Sequence, residues 1–309
     1  MNDDRVSRFV FGTMQFGGRA DETASRDMFD ACIDAGINHF DTAYVYTDGA
    51  SETLLGKFAA PLRDKLIIAT KAAYNGGSGR ENILQSFETS RQRLNMDSVE
   101  ILYLHRYDPD TALEETYDTL AELKSAGKIR HIGVSNHAAW QVMKSVAVAA
   151  ERGLTIDILQ PMYNLVKRQV EVELLPMAQD QGILVAPYSP LGGGLLTGKY
   201  AGIDDQKTVG RLVEDSRYHA RYGQEWMWQA AAQLKQMADE LGVSAATLAV
   251  AWVAAHPSKA SPILSARSSE QLTSSLAAID FEMTDALYEA VSALSPQPAP
   301  ATDRLEEVG

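Results

Sequence analysis

The chain alternates short apolar runs with longer segments in which apolar residues recur every three or four positions. Runs of the first kind are typical of buried parallel strands, and segments of the second kind of amphipathic helices. The runs predict strands at residues 9–13, 37–41, 66–70, 101–104, 129–134, 158–159, 183–188 and 262–265. The helical spacing predicts helices at residues 26–35, 51–58, 81–94, 113–123, 138–152, 170–181, 226–241, 244–255, 269–278 and 285–294.

Four of these helices pass into the next strand through a glycine, namely Gly36, Gly127, Gly153 and Gly182. Glycine just past a helix end adopts the left-handed conformation at little cost and turns the chain back. About eight such strand–helix units, with no break in composition between them, predict a closed (β/α)8 TIM barrel rather than an open doubly wound sheet. We expect a single domain over residues 1–309, with extra helices, a long glycine-rich loop at 191–224 after strand 7, and an irregular C-terminal tail at 296–309.

Composition and net charge limit the kinds of molecule that this chain is expected to bind. The chain has 309 residues, 45% of them hydrophobic, and a net charge of −13, which argues against a broad basic surface for nucleic acid or an anionic membrane. Cys32 is the single cysteine, so no internal disulfide can form. There is no signal-peptide pattern and no apolar run of the roughly 20 residues that span a bilayer. We therefore expect a cytoplasmic protein, and the sequence leaves its oligomeric state open.

Polar side chains stand at or just after the ends of nearly all predicted strands, where a (β/α)8 barrel carries its chemistry. Each alone has a structural explanation, such as a turn residue, a solvated charge or a core histidine. Their convergence on one rim favours a functional site. They are Thr13, Asp41, Lys71, His105, Ser135, Asn136, Gln160, Tyr188 and Arg267.

Part of this set is suited to proton donation. Tyr46 follows Asp41 by five residues. A tyrosine pKa near 10 is too high for an efficient acid at neutral pH, and an adjacent ammonium lowers it. Lys71 can provide that ammonium, Asp41 can hold it in place, and His105 can bind and orient a carbonyl. No residue of the set is an obvious nucleophile.

The order Asp41, Tyr46, Lys71, His105 resembles the catalytic tetrad of the aldo-keto reductases. Neighbouring segments are similar as well, and the resemblance covers about residues 9–278. It implies reduction of the carbonyl of a small-molecule aldehyde or ketone, with Tyr46 as general acid, Lys71 and Asp41 tuning it, and His105 orienting the substrate. A histidine at position 105, where some relatives carry glutamate, implies carbonyl rather than double-bond reduction. The similar segments are Phe40-Asp41-Thr42-Ala43, Ser51-Glu52 with Leu55-Gly56, Ile68-Ala69-Thr70-Lys71 and Tyr103-Leu104-His105.

The same resemblance implies NADPH as cofactor, with NADH as the less favoured alternative. Ser135, Asn136 and Gln160 would hold the nicotinamide carboxamide, and Tyr188 would stack on its ring. Arg267, near a helix N-terminus, suits the adenosine 2′-phosphate. The other cofactor-binding residues that the resemblance implies are Ser189, Leu191, Lys199, Ser265 and Gln271. Three positions depart from the family pattern: Ser265 replaces a glycine, while Ser274 and Ser275 replace the Glu-Asn pair that usually reads adenine.

Residues 193–199 fit the phosphate-binding pattern G-x-x-x-x-G-K, but Tyr200 follows where a P-loop needs Ser or Thr for magnesium. The turn-like residues 201–205 also argue against the helix that a P-loop requires. The resemblance implies instead a loop that crosses the cofactor pyrophosphate, with Lys199 supplying charge. The remaining histidines show no ligand spacing for zinc, so we expect no metal.

Candidate walls of the substrate pocket are Phe16, Tyr44, Tyr74, Tyr107 and residues 217–222. Arg106, next to His105, suits a carboxylate or phosphate on the substrate, although a salt bridge at the rim is the favoured explanation. Few residues precede the first strand, so a plug at the barrel base is expected to be short or absent.

A second function stays open at this point. The chain can be a regulatory or sensor subunit that keeps the fold and binds cofactor with little turnover, as the potassium-channel β subunits of the same family suggest.

Overall fold

The computed structural model describes residues 6–200, 212 and 215–307. Eight strands, each paired in parallel with its neighbours, form one sheet in the order β7-β6-β5-β4-β3-β2-β1-β8. They are β1 Val10–Gly12, β2 His39–Asp41, β3 Ile67–Ala72, β4 Val99–Leu104, β5 Ile129–Ser135, β6 Ile158–Gln160, β7 Leu184–Val185 and β8 Ile263–Leu264.

The two ends of this sheet meet. The backbone N–H of Ser261 donates to Val185 O at 2.8 Å, and that of Ile263 donates to Pro187 O at 2.9 Å. These bonds join the β8 segment to the β7 segment, and the predicted (β/α)8 barrel is confirmed.

Helices surround the barrel and connect its strands. The described helices are Glu22–Asp34, Ala50–Ala59, Arg80–Leu94, Leu113–Ser125, Ala139–Ala150, Leu174–Asp180, Ser216–Tyr222, Glu225–Glu240, Ala245–Ala255, Ser269–Leu276 and Asp285–Ser292. The larger hydrophobic core lies between them and the sheet. A smaller apolar cluster fills the barrel interior and consists of Val10, Ala69, Ile101, Tyr103, Ile158, Ala186 and Ile263.

The glycine turns are confirmed. Gly36, Gly127, Gly153 and Gly182 have φ values of 78°, 68°, 66° and 66°. A β-carbon added at these positions would meet no atom within 4 Å, so the requirement is conformational rather than steric.

Several strands are shorter than the apolar runs predicted. β2 begins at His39 rather than residue 37, because the N–H of Ile37 still bonds Cys32 O in the turn that ends the preceding helix. β7 covers only Leu184–Val185, although the N–H groups of Ala186 and Tyr188 continue the pairing toward β6. Pro187 lies between them, and its carbonyl accepts from Ile263 on the β8 side. Because proline has no N–H, Pro187 cannot donate the bond that would continue a regular ladder with β8.

The helix predicted at 170–181 is divided. A 3-10 turn covers Gln169–Glu171, and the α-helix covers Leu174–Asp180. Pro176 explains the division, because proline is accepted in the first turn of a helix but not in its interior. The helix must therefore begin close to Leu174.

The segment after β7 holds more regular structure than a loop prediction allowed. A 3-10 turn covers Gly192–Thr197, and a short α-helix covers Ser216–Tyr222. The tail after residue 296 is irregular up to a 3-10 turn at Leu305–Glu307. Residues 201–211, and most of those assigned to a base plug, lie outside the described residues.

Among the described residues no single helix is both long and apolar enough to cross a membrane. The helices Glu225–Glu240 and Ala245–Ala255 reach that length and composition only together, and they meet at a bend of 101°.

Candidate active site

A cavity of about 1040 Å³ opens at the carboxyl ends of the strands. Among the predicted rim, catalytic and cofactor-binding residues, all but Lys71 and Thr13 line its wall. Lys71 is 1% exposed and lies beneath the wall, and Thr13 is fully buried. The lining residues that the sequence predicted are Asp41, Tyr46, His105, Ser135, Asn136, Gln160, Tyr188, Ser189, Leu191, Lys199, Ser265, Arg267 and Gln271.

Lys71 joins the acidic and phenolic groups of the site. Its Nζ donates to Oδ1 of Asp41, to the carbonyl oxygen of Thr42 at 2.8 Å and to the phenolic oxygen of Tyr46 at 3.2 Å. The three donor positions of the ammonium are therefore occupied. Register explains the contact with Asp41, because Asp41 pairs with Ala69 and Lys71 is the next inward-facing residue of β3.

The pKa of Tyr46 differs from the sequence-based expectation that the Lys71 ammonium lowers it. Burial raises the pKa of Tyr46, and the charge and hydrogen bond of Lys71 only partly offset it, so the net direction is upward. Burial also raises the pKa of Asp41 against the opposing contacts with Lys71 and Gln160. Burial alone would lower the pKa of Lys71, but Asp41 and Tyr46 reverse this and raise it. Lys71 therefore stays protonated.

His105 is a neutral imidazole at the same wall. Burial, together with the charges of Lys71 and Arg106, lowers its pKa to about 3. Its ring lies edge-on to that of Tyr46, with centroids 5.8 Å apart, and 4.8 Å from that of Tyr74. Its buried Nδ1 has no hydrogen-bond partner among the described residues. A neutral ring with an N–H can donate a hydrogen bond without bringing a charge.

A tight turn brings Tyr46 to this position. Thr47 and Asp48 have φ values of 47° and 52°, in the left-handed region that non-glycine residues seldom adopt. Ser51 fixes the turn, since its N–H donates to Thr47 Oγ1 and its hydroxyl lies 2.8 Å from Thr13 O and 2.9 Å from Thr42 Oγ1. Such strain persists where the surrounding structure holds it, often at functional sites.

The Ser51-Glu52 and Leu55-Gly56 positions form a support behind the site. Glu52 is fully buried, accepts a 2.6 Å bond from the hydroxyl of Thr70 and lies 3.2 Å from the guanidinium of Arg93. Arg93 also donates to Tyr44 O at 2.8 Å. At Gly56 a β-carbon would lie 2.2 Å from Leu94 O, so only glycine allows this helix to pack so closely.

A second hydrogen-bond network joins the residues predicted to hold the nicotinamide. Ser135 Oγ donates to Gln160 O at 2.9 Å, and the Asn136 amide donates to His105 O at 2.9 Å. The hydroxyl of Tyr188 donates to Asn136 Oδ1 at 2.7 Å. The side-chain amide of Gln160 donates to Oδ2 of Asp41 at 2.9 Å. The two halves of the site are therefore one connected network.

At the β7–β8 side, Lys199, Ser265, Arg267 and Gln271 line the same cavity. Gln271 accepts a bond from the Arg267 N–H at 3.3 Å, at the start of the helix Ser269–Leu276. Ser274 and Ser275, which depart from the family pattern, also line the wall.

Three predicted pocket walls were wrong. Phe16 is fully buried and packs on Phe11 and Phe58. The ring centroid of Tyr44 lies 4.8 Å from the Arg93 guanidinium, and Tyr107 packs on His137 and Trp140. None of the three lines the cavity. The predicted Tyr74 and Arg106 do line it, as do Tyr218 and Arg221 from the segment 217–222.

The sequence reasoning missed other lining residues, among them Met14, Gln15, Val45 and Asn75. A signal for them existed, since each comes one to four residues after a predicted strand end or beside a predicted site residue. Thr42 was also missed, because its contact with Lys71 uses a backbone carbonyl that no side-chain pattern reveals. In the described part of the chain, no group of three or more His, Cys, Asp and Glu side chains is placed to bind a metal.

Comparison with known proteins places these features in a family. The family model described as "Aldo/keto reductase family" matches residues 8–296. "Aflatoxin B1 aldehyde reductase member 2" of Homo sapiens is 36% identical over 291 residues, covering 88% of this chain and 81% of the relative. "Probable voltage-gated potassium channel subunit beta" of Arabidopsis thaliana is 33% identical over 296 residues, covering 89% and 88%. "Protein tas" of Escherichia coli is 33% identical over 337 residues and covers 96% of each chain.

Proposed function

The chain belongs to the aldo/keto reductase family, and from that premise we propose that it is an NADPH-dependent reductase that converts an aldehyde or ketone to an alcohol. Tyr46 is the general acid, Lys71 and Asp41 position and tune it, and His105 orients the substrate carbonyl. The observation that carries this proposal is the contact of the Lys71 ammonium with both Asp41 and the Tyr46 phenol at the wall of the cavity.

The chemistry divides between cofactor and protein. When bound, the reduced nicotinamide supplies the hydride that forms the new C–H bond at the carbonyl carbon. The Tyr46 hydroxyl transfers its proton to the carbonyl oxygen, and the phenolate that remains lies 3.2 Å from the Lys71 ammonium. Because the pKa of Tyr46 is raised by burial, that ammonium is needed to stabilise the phenolate. The hydroxyl recovers its proton from solvent after the alcohol leaves.

The residues present fit a dinucleotide. Ser135, Asn136 and Gln160 offer donors and acceptors of the kind that an amide requires. Lys199 and Arg267 place cations on the wall, which suits a pyrophosphate and a 2′-phosphate in a chain with a net charge of −13. Arg267 supports NADPH over NADH. The serines at 265, 274 and 275 leave adenine recognition different from the usual family pattern.

One comparison favours a second function. The relative from Arabidopsis thaliana is named as a probable voltage-gated potassium channel β subunit. A cofactor-binding regulatory subunit with little turnover is therefore the alternative proposal.

Turnover separates the two functions. The purified protein is mixed with NADPH and a panel of aldehydes and small ketones, and cofactor oxidation is followed by the loss of its near-ultraviolet absorbance. An enzyme is expected to reach on the order of 1 s⁻¹ or more with at least one substrate. Tight NADPH binding with no turnover across the panel would reject the reductase in favour of the regulatory subunit.

A further inference from the structure

The cavity is cationic although the chain is acidic. Its described lining includes Arg106, Lys199, Arg221 and Arg267, against the single carboxylate Asp41. Asp41 is already paired with Lys71 beneath the wall. The lining therefore carries a net positive charge, which suits an anionic ligand.

These cations are divided between opposite walls. Arg267 follows β8, and Arg106 follows β4. In the closed barrel, β4 and β8 are four strands apart in either direction, the largest separation that eight strands allow. The phosphates of a cofactor bound near Arg267 cannot also occupy Arg106.

Arg106 stands beside the reacting groups. It is adjacent in sequence to His105, and its charge contributes to the lowered pKa of that imidazole. Its guanidinium lies 5.3 Å from the ring centroid of Tyr74, and the ring centroids of Tyr74 and His105 are 4.8 Å apart. Tyr74 therefore contacts both the guanidinium and the histidine assigned to orient the carbonyl.

The salt bridge expected at this rim is not formed. Asp108, two residues along, uses its carboxylate to accept bonds from Thr111 Oγ1 at 2.6 Å, Ser78 N at 2.7 Å and Asp110 N at 3.0 Å. No carboxylate in residues 6–200, 212 and 215–306 is in ion-pair contact with Arg106, although the positive charge of Arg106 contributes to the lowered pKa of Asp108. The fork of donors on its guanidinium remains free for a planar anion.

Resting on the proposed function, we propose that Arg106 determines specificity for carbonyl substrates that carry a carboxylate. The substrate carbonyl lies at Tyr46 and His105, the body of the substrate lies along Tyr74, and the carboxylate meets the guanidinium of Arg106. Arg106 is the one unpaired cation among the described lining residues on the β1–β4 side, so its charge matches a monoanion. Arg221, which lies 5.5 Å from the ring centroid of Tyr218 after β7, adds to the positive potential of the mouth.

A matched pair of aldehydes tests this assignment. The probes are para-carboxybenzaldehyde and para-methylbenzaldehyde, which have similar size and differ in charge. We expect kcat/KM to favour the acid by about tenfold or more, as a charge-assisted Arg–carboxylate pair supplies. In Arg106→Gln the ratio of kcat/KM for the two aldehydes should fall to about one, mainly through a rise in KM for the acid.

The control is Arg130→Gln, the same change at an exposed position near the amino end of β5, remote from the cavity. This variant should keep the full preference for the acid. Equal kcat/KM for the two aldehydes in the unmodified protein, or a preference that survives Arg106→Gln, overturns the assignment.

The proposed function can fail separately. If neither aldehyde is reduced, binding of the corresponding para-substituted benzyl alcohols to the NADP⁺ complex is measured by calorimetry. Tighter binding of the carboxylated alcohol, lost in Arg106→Gln, upholds the acid site in a protein that is not a reductase. Equal binding of the two alcohols rejects the acid site as well.

Discussion

Gln160 donates a 2.9 Å hydrogen bond from its side-chain amide to Oδ2 of Asp41, across 119 residues of sequence. The other carboxylate oxygen of Asp41 accepts from Lys71. A residue predicted to hold the nicotinamide amide thus also fixes the carboxylate that positions the lysine. The residues proposed for cofactor binding and for proton donation share one hydrogen-bond network.

Gln160→Leu should therefore affect catalysis as well as binding. We expect weaker cofactor binding and a fall in kcat of about tenfold or more, because Asp41 loses a donor inside a buried network. Ser135→Ala is the comparison, since Ser135 bonds the backbone of Gln160 and not Asp41. Steady-state kinetics at saturating cofactor separate the two variants. If kcat falls no more in Gln160→Leu than in Ser135→Ala, the hydrogen bond from Gln160 to Asp41 has no role in catalysis.

Tyr46→Phe removes the phenolic hydroxyl, and with it both the proposed proton donor and the acceptor of the Lys71 hydrogen bond. Reduction should fall by about a hundredfold to ten-thousandfold, the usual range for a general acid, while the NADPH dissociation constant changes little. Tyr107→Phe makes the same change outside the cavity lining and should retain activity. Substantial turnover by Tyr46→Phe would reject the assignment of the acid.

Lys71→Met should destabilise the fold as well as stop catalysis. The change leaves the buried carboxylate of Asp41 without its cation, and breaking such a pair costs about 3–5 kcal/mol in the free energy of unfolding. The double variant Asp41→Asn with Lys71→Met removes both charges and should recover part of that loss. Denaturant unfolding of Lys71→Met, Asp41→Asn and the double variant is the measurement, and a double variant as unstable as the sum of the two single changes would contradict the interpretation.

Arg267→Ala should discriminate between the cofactors. The guanidinium lines the cavity near the start of the helix Ser269–Leu276, where it suits a 2′-phosphate. We expect NADPH binding to weaken by about tenfold or more, while NADH binding stays close to its original strength. Titrations with both cofactors supply the control within one variant. Equal weakening of the two would remove the proposed role.

Acid should destabilise the protein through buried histidines. Burial lowers the pKa of His39 to about 3, with the charge of Lys71 adding to the effect, and burial lowers the pKa of His137 to about 4. Below pH 6.5 these two histidines are protonated in the unfolded chain but stay neutral in the folded chain. The free energy of unfolding therefore falls as the pH falls from 6.5 toward the folded-state pKa values. Each such histidine contributes up to about 1.4 kcal/mol per pH unit.

His39→Leu tests this effect inside the barrel, where Nε2 of His39 has no partner among the described residues. The slope of unfolding free energy against pH, measured between neutrality and mild acid, should decrease by about 1.4 kcal/mol per unit. His219→Leu alters an exposed histidine and serves as the control. An unchanged slope in His39→Leu would show that the buried imidazole takes up its proton in the folded state.

Local sequence patterns predicted the architecture and the residue types that line the candidate site. Apolar runs, helical spacing and the glycines at 36, 127, 153 and 182 are local signals, and each reflects the conformation of a few consecutive residues. Strand ends in a parallel barrel converge on one rim, so the same signals brought Asp41, Lys71, His105 and Gln160 to one place. Strand lengths were predicted less well, because Pro187 and the turn at Ile37 act through hydrogen bonding rather than hydrophobicity.

Which of these side chains are in contact depends on the tertiary structure. Strand register sets Lys71 beside Asp41 and Tyr46, and closure of the barrel sets Gln160 against Asp41. Packing buries Phe16 in the core instead of exposing it to the cavity. Asp108 accepts hydrogen bonds from Ser78 and from its own loop and forms no ion-pair contact with Arg106, although the charge of Arg106 contributes to the lowered pKa of Asp108. Contacts between residues far apart in the chain depend on register and packing, and the local pattern of hydrophobic and polar positions does not contain them.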